Sequence, residues 1–115
     1  RDFTWVGDTV RAFAAIAEAD ALVGEVANIG SGIETSVGAL AELLGRLTGR
    51  EVRVVADETR VRPVASEVER LCCDSAKLQS TTGWRPAVTL EDGLARTLEW
   101  IVPRLSQFRV GEYRV

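Results

Sequence analysis

Hydrophobic and polar positions follow two different periods along the chain, and the first twenty residues contain both. Phe3 and Trp5 alternate with smaller or polar residues, which predicts a short strand over residues 2–6. Asp8 follows and is the predicted N-cap of a helix that runs to about Ala19. Spacings of three, four and seven residues predict one buried face on this helix, formed by Val10, Phe13, Ala14 and Ala17.

A second strand and a second helix come next. Residues 25–29 are a strand candidate, which the run Gly30-Ser31-Gly32 is predicted to end. Ser36 is the predicted N-cap of the following helix. The helix closes at Gly49 in the left-handed C′ position. Its predicted buried stripe consists of Val37, Leu40, Leu44 and Leu47.

The middle of the chain combines a strand with a polar loop. A run of β-branched residues predicts a third strand over residues 52–56. Charged residues and Pro63 predict a loop over residues 57–66. Residues 68–73 are predicted to form a short extended piece.

Two capped helices occupy the last part of the chain. Asp74 is the predicted cap of a helix that ends near Gly83. Thr89 and Asp92, three residues apart, match a capping box. Pro103 is expected to kink or end the final helix. The buried stripe of that helix is predicted to be Leu90, Leu94, Leu98, Ile101 and Leu105.

Short strands that alternate with helices predict an α/β fold in a single unit over residues 1–115. Three or four short strands make only a small sheet, and the edges of such a sheet are exposed. We therefore hypothesise that some of these strands pair with a sheet formed by another part of a larger protein.

Composition narrows the functional classes. The chain has 46% hydrophobic and 27% charged residues, which is typical of a folded globular protein. Its formal net charge of −3 argues against nucleic-acid binding, and no apolar run reaches the ~18 residues of a membrane span. Histidine is absent, which removes the commonest metal ligand and general base. Methionine is also absent and Arg1 comes first, so we expect a fragment of a larger protein.

Arg62 is the first candidate for a binding role. Pro63 fixes the turn on which Arg62 lies, and a guanidinium held in this way suits bidentate binding of diphosphate oxygens. Ser66 or Glu67, just beyond it, could accept a hydrogen bond from a ribose hydroxyl. The alternative is a solvated loop with ordinary surface charge.

Arg1 and Phe3 form the second candidate pair. Side chains two residues apart on a strand share one face, so Arg1, Phe3 and Trp5 are expected on the same side. A cation beside an aromatic ring could hold a phosphate and contact a base. The alternative for Arg1 is a salt bridge at the end of the strand.

The Gly-Ser-Gly run at residues 30–32 is not predicted to bind a dinucleotide. The dinucleotide-binding fingerprint needs a third glycine three residues further on, and Thr35 occupies that position. Val37, at the start of the next helix, is the first buried position predicted for that helix, so core packing explains it.

The two cysteines and Trp84 are interpreted as structural. Cys72 and Cys73 are adjacent, so on an extended backbone their side chains point to opposite faces and are not expected to bind one metal ion. Both are predicted to be buried and reduced. Trp84 lies in a Gly-Trp-x-Pro segment and is predicted to fill the core.

Taken together, the opening RDFTWVGD and the stretch RPVASEVERLCCDSAKLQSTTGWRPAVTLEDGLARTLEW resemble the carboxyl-terminal part of a known family. That family is the nucleotide-sugar epimerases and dehydratases of the extended short-chain dehydrogenases/reductases. The resemblance implies the substrate-binding part of a Rossmann-type enzyme, without its main cofactor-binding domain. It further implies that Arg1 and Arg62 contact the nucleotide diphosphate, that Glu67 contacts the ribose, and that Phe3 and Val37 line the nucleotide pocket.

The resemblance also carries expectations about the parent enzyme. Such an enzyme binds NAD or NADP through a GxxGxxG loop and moves protons with a Tyr-x-x-x-Lys pair, forming a transient 4-keto sugar. The one tyrosine of this chain is Tyr113, two residues from its end, so the chain alone is expected to bind no cofactor and to be inactive. The expected partners are a nucleotide sugar, an N-terminal Rossmann domain and a second copy in a homodimer, in the cytoplasm. The alternative function is a non-catalytic interaction or dimerisation module derived from such an enzyme.

Overall fold

The computed structural model describes residues 1–55 and 68–108. Within these two ranges the chain forms four α-helices, which are α1 (Val6–Ala17), α2 (Val37–Thr48), α3 (Ala76–Thr82) and α4 (Leu90–Ile101). Two 3₁₀ segments, Asp20–Leu22 and Val102–Gln107, follow α1 and α4. No helix in the described ranges is long and apolar enough to cross a membrane.

The predicted N-caps of α2 and α4 are confirmed, whereas the N-cap of α3 is Ser75, one residue after the predicted Asp74. The Ser36 hydroxyl accepts a hydrogen bond from the Ala39 N–H at 3.0 Å, and α2 ends at Gly49 with a φ of 63°. The Thr89 hydroxyl accepts from the Asp92 N–H at 3.1 Å at the start of α4. The Asp74 carboxylate accepts from the Ala76 N–H at 2.9 Å, where α3 begins. The short polar side chains before each apolar stripe therefore marked these starts to within one residue.

The prediction that Asp8 caps α1 is wrong. Trp5 occupies the N-cap position without a side-chain hydrogen bond, and Asp8 lies inside the first turn. The Asp8 carboxylate accepts instead from the N–H groups of Ala87 and Val88, at 3.1 and 3.0 Å. Two donors on a distant segment thus satisfy this carboxylate in place of the donors of its own helix.

The core lies where α1 meets α3 and the segment that follows α3. Its buried residues are Ala12, Leu22, Leu78 and Trp84. Trp84 is 5% exposed, as predicted, and its indole N–H donates to the Asp8 carbonyl at 3.1 Å. Burial of a tryptophan ring together with a satisfied N–H is a strong packing contribution.

The predicted buried face of α1 is wrong for the described part of the chain. Val10 and Phe13 are 60% and 63% exposed, and Val6, one turn before Val10, is exposed as well. The core side of α1 is formed by the small residue Ala12, with Ala15 and Ile16 packed beside it. The helix therefore carries apolar side chains on two sides, and only the less bulky side is covered by the described residues.

The predicted strands do not form a sheet within residues 1–55 and 68–108. The one β-bridge described there pairs Asp2 with Glu34 in antiparallel fashion. The first predicted strand is also shortened, because α1 already begins at Val6. Residues 25–29, 52–55 and 68–73 have no ladder partner among the described residues. A strand pattern is completed only by hydrogen bonds to a neighbour, which a single sequence does not specify.

Candidate functional site

The first residues of the chain lie between two loops that also carry predicted site residues. The Arg1 amino group donates to the Thr35 carbonyl at 2.9 Å, and the Thr35 N–H donates back to the Arg1 carbonyl at 2.8 Å. The Arg1 guanidinium donates to the Val68 carbonyl at 2.6 Å. Arg1 therefore joins the residues before α2 to the residues that follow Glu67.

Arg62 and Glu67 lie outside the described residues. Val68, which follows Glu67 directly, is the first described residue after that gap. Its contact with Arg1 brings Arg1 to the carboxyl-terminal end of the segment that contains both predicted residues. The alternative for Arg1, a strand-end salt bridge, stays a prediction.

Asp2 links the same loops through its carboxylate. One oxygen, Oδ1, accepts from the Ser31 N–H at 3.0 Å and from the Ser31 hydroxyl at 2.5 Å. The other, Oδ2, accepts from the N–H groups of Gly32 and Cys73, at 2.8 and 3.1 Å. Partial burial by itself raises the pKa of Asp2, but these four hydrogen bonds outweigh it and hold the pKa below its ordinary value.

Phe3 lines two concave spaces on the surface. One, of about 190 Å³, lies between the residues before α2 and the segment 86–90 and is also lined by Ile33 and Thr35. The other, of about 350 Å³, lies between residues 3–6 and α4 and is also lined by Leu40. Both are mostly apolar, so the ring of Phe3 borders space that an aromatic base could occupy.

Val37 is 69% exposed at the first position of α2. The interpretation of Val37 as a core residue is therefore wrong for the described part of the chain. The buried residue of α2 is Leu43, which the predicted stripe had missed, while Leu40, Leu44 and Leu47 are half-buried. Val37 remains an apolar side chain available for contact.

The Gly30-Ser31-Gly32 turn is packed closely against Cys73. A Cβ atom at Gly30 would overlap the Cys73 side chain and would lie 3.0 Å from Asp2 Oδ2. Gly32 has a φ of 73°, in the left-handed region that glycine tolerates best. Gly30 therefore lets the turn pack against Cys73, and Gly32 lets the backbone of the turn adopt its positive φ.

An ion pair between Arg70 and Glu34 also connects the residues before α2 to the residues that follow Glu67. Arg70 donates to both carboxylate oxygens of Glu34, from Nε at 3.0 Å and from Nη2. The pairing lowers the pKa of Glu34. Glu34 lies three residues before Val37 and Arg70 three residues after Glu67, so the pair connects the two halves of the predicted site.

The two cysteines differ in exposure. Cys72 is exposed, which corrects the prediction that both are buried, whereas Cys73 is partly buried. Burial raises the pKa of the Cys73 thiol, and the nearby charges of Asp2 and Asp74 raise it further. Among the described residues no group of three or more potential ligands is placed to hold a metal ion.

Asp2, Ser31, Glu34 and Arg70 were not recognised as site residues from the sequence. Asp2 offered one indication, because an acidic residue between two predicted binding residues, and ahead of a Gly-Ser-Gly turn rich in backbone donors, is a natural acceptor for such a turn. Glu34 and Arg70 offered none, since ion pairs between distant positions depend on the fold.

Comparison with known proteins identifies the family of this chain. The family model described as GDP-mannose 4,6 dehydratase matches residues 1–97. GDP-6-deoxy-D-mannose reductase from Pseudomonas aeruginosa is 34% identical over 101 residues, which cover 87% of this chain and 32% of the reductase.

Two solved structures share the fold. An epimerase from Methanothermobacter thermautotrophicus matches with a TM-score of 0.82 at 31% identity, covering 93% of this chain and 31% of the epimerase. RMD from Pseudomonas aeruginosa, complexed with NADPH, matches with a TM-score of 0.79 at 31% identity, covering 90% of this chain and 32% of RMD. The chain thus spans about a third or less of the length of the curated relatives it matches.

These likenesses confirm the predicted fold class, which is the α/β fold of Rossmann-type epimerases and dehydratases. They also confirm the resemblance inferred from the RDF and RPxxSEV segments. The chain belongs to the GDP-mannose 4,6-dehydratase family of NAD-dependent nucleotide-sugar epimerases and dehydratases, the extended short-chain dehydrogenases/reductases.

Proposed function

We propose that residues 1–115 form the nucleotide-sugar-binding portion of an NAD(P)-dependent epimerase or dehydratase. The observation that carries this proposal is the convergence at residues 1–3. Through Arg1 and Asp2 these residues bond both to the turn that precedes Val37 and to the segment that follows Glu67. All five residues predicted to bind the nucleotide therefore belong to three segments, and the described parts of these segments touch.

In this proposal the roles follow the chemistry of the side chains. Arg1 and Arg62 hold the diphosphate, because a guanidinium binds phosphate oxygens with two parallel hydrogen bonds. Glu67 accepts from a ribose hydroxyl. Phe3 and Val37 provide apolar contacts to the base, a role that the exposure of Val37 and the open space beside Phe3 both support.

The remainder of the enzyme supplies the cofactor site. NAD or NADP would serve as the hydride acceptor and donor there, and no residue of this chain is assigned to it. RMD, a structural relative that binds NADPH, is about three times longer than the matched region. We place the enzyme in the cytoplasm, where unpaired cysteines such as Cys72 and Cys73 persist as thiols.

The exposed apolar side of α1 is evidence for a further domain that would cover it. Val6, Val10 and Phe13 lie on successive turns and are each at least 60% exposed. Residues 25–29, which have a strand pattern without a ladder partner among the described residues, follow the same helix in the chain. An exposed apolar helix face, and a segment of strand pattern without a partner among the described residues, are features on which the rest of a Rossmann-type sheet would dock.

The test is nucleotide binding by the 115-residue chain. UDP and GDP are each titrated against the wild-type protein and followed by ligand-observed NMR, which detects weak binding. We expect weak binding by the wild type and binding about tenfold weaker or more in Arg62→Ala, because a charge-assisted contact is lost. Arg53→Ala, which removes the same charge at an exposed position, serves as the control. Tight binding that Arg62→Ala leaves unchanged would contradict the site assignment.

The exposed face of α1 also favours the second candidate function, a non-catalytic module that associates with itself. Sedimentation velocity distinguishes the two. A concentration-dependent dimer that Phe13→Asp dissociates, together with no binding of UDP or GDP, would favour the module. A monomer that binds nucleotide would favour the substrate-binding portion.

A further inference from the structure

The carboxylate of Asp2 receives more hydrogen bonds than its own short segment can provide. Four donors converge on it, three of them backbone N–H groups and one the Ser31 hydroxyl, at distances of 2.5 to 3.1 Å. Each oxygen accepts two bonds, so both are saturated in the usual sense for a carboxylate. A carboxylate with all its acceptor positions occupied by protein donors is not available to bind substrate. It instead holds the surrounding backbone in place.

The donors come from two segments that are far apart in sequence. Ser31 and Gly32 belong to the turn that precedes Val37, and Cys73 follows the segment that contains Arg62 and Glu67. Asp2 itself lies between Arg1 and Phe3. One side chain therefore joins residues 1–3 to the turn that precedes Val37 and to Cys73, and so links three described segments of the chain.

The packing around Asp2 leaves little freedom for an alternative arrangement. The Gly30 Cα lies so close to Cys73 that a methyl group would not fit. The backbone of Asp2 also pairs with Glu34 in the antiparallel bridge. The neighbouring links, from Arg1 to Val68 and from Arg70 to Glu34, are more exposed and connect the outer ends of the same segments.

We propose that Asp2 is a positioning residue of the nucleotide site, whose carboxylate holds the Ser31-Gly32 turn and the Cys73 segment in the relative placement that lets Arg1, Phe3 and Val37 act on one ligand. This inference rests on the proposed function, since it concerns the geometry of that same site. Asp2 acts through its neighbours and does not touch the nucleotide. Its removal disturbs binding of nucleoside diphosphates because the binding groups lose their relative placement.

Asp2→Asn tests the inference, with UDP and GDP as probes in the full 115-residue chain. An amide keeps one acceptor oxygen and turns an NH₂ donor towards N–H groups, so two of the four bonds are lost. We expect the dissociation constant to rise roughly tenfold, in the range seen for residues that act on a site without touching its ligand. Asp2→Glu, which keeps the carboxylate, is expected to restore part of the affinity.

Two further variants keep the test decisive. Ser31→Ala removes a single bond to Asp2 and is expected to weaken binding by a smaller factor, and it decides the matter if Asp2→Asn does not fold. Trp84→Phe is the control for a general loss of stability. It removes the indole N–H, which donates to the Asp8 carbonyl and makes no hydrogen bond to the three segments that Asp2 joins. Its nucleotide affinity is expected to match that of the wild type at a temperature where both are folded.

The outcomes separate this inference from the function on which it rests. Weaker binding in Asp2→Asn and Ser31→Ala, with Trp84→Phe unchanged, supports the positioning role. If the wild type binds nucleotide and all three variants bind equally well, the positioning role is overturned and the proposed function stands. If the wild type binds neither UDP nor GDP, both are overturned.

Discussion

Two aspartates six residues apart, Asp2 and Asp8, organise two different regions of this protein. Both accept several hydrogen bonds from distant backbone N–H groups, and in both the hydrogen bonds outweigh burial and lower the pKa. Asp8 is 1% exposed and ties α1 to residues 87–88 beside the core, whereas Asp2 is only partly buried and ties together loops at the surface. The same chemistry thus ties a helix to the core in one place and joins surface loops in the other.

The surroundings of each carboxylate explain the difference. Asp8 also pairs with Arg11, and the Trp84 indole donates to its carbonyl, so its neighbours are side chains of the core and of α1. The donors to Asp2 come from a turn that contains two glycines and from an extended segment. Loss of Asp8 should therefore weaken the whole fold, and loss of Asp2 should chiefly change the geometry of the loops.

The largest expected effect is the loss of stability in Asp8→Asn. The N–H groups of Ala87 and Val88 both donate to Oδ2, and Arg11 donates to Oδ1. An amide that keeps its oxygen towards the two N–H groups therefore turns its NH₂ towards the Arg11 guanidinium, where it has no acceptor, and gives up the charge that pairs with Arg11. A buried donor left without an acceptor costs about 1–3 kcal/mol, and part of the ion pair is lost as well. We expect the free energy of unfolding to fall by about 3 kcal/mol, measured by urea denaturation.

The matched control is Asp20→Asn, the same replacement at an exposed position after α1. It should change the free energy of unfolding by less than about 0.5 kcal/mol. Asp2→Asn is expected to fall between the two, because Asp2 is less buried than Asp8. An Asp2→Asn variant that loses as much stability as Asp8→Asn would erase the distinction drawn between the two regions.

A smaller effect is expected from pH. The folded-state pKa of Asp8 is lower than its ordinary value of 3.8, so its contribution to stability is fully present above that value and is lost as the pH falls through the folded-state pKa. The stability difference between the wild type and Asp8→Asn should therefore be greatest near neutral pH and shrink below about pH 4. Urea denaturation at several pH values measures it. A difference of equal size at pH 7 and at pH 3 would mean that the charge of Asp8 is not what stabilises the fold.

The sequence predicted the helices well because their starts depend on local chemistry. Ser36, Thr89 and Asp74 each accept from a backbone N–H at the start of a helix, and this interaction needs only neighbouring residues. Asp8 has the same local appearance, yet its carboxylate contacts residues 87–88. The error at Asp8 came from a long-range contact that outcompetes the local one.

The apolar stripes were predicted less well, for a related reason. Periodicity shows that Val10 and Phe13 share a face of α1, but it does not say what covers that face. Within the described residues the covered side carries Ala12, and the bulkier side is exposed. The predicted strands form no sheet within the described residues, and the pattern of a single strand does not specify a ladder partner.

The candidate site was only partly predictable. Arg1 and Phe3 were identified from their types and alternation, and the described structure places both near the turn at residues 31–35. Asp2 was missed because strand alternation assigned it to the opposite face, away from Arg1 and Phe3. Its importance appears only once the turn at residues 31–32 and Cys73 are brought to it from other parts of the chain. Arg62 and Glu67 stay predictions.

The smallest expected effect is a change in thiol reactivity that separates the two aspartates directly. Burial and the charge of Asp2 raise the pKa of the Cys73 thiol, so removing that charge should lower it and increase the thiolate fraction. In a Cys72→Ser background, Asp2→Asn should speed alkylation of Cys73 by iodoacetamide roughly threefold. Asp8→Asn in the same background is the control and should leave the rate unchanged under conditions where the protein is folded. Equal acceleration by both replacements would point to general loosening of the fold, whereas acceleration by Asp2→Asn alone would place the influence of Asp2 at the loops it joins.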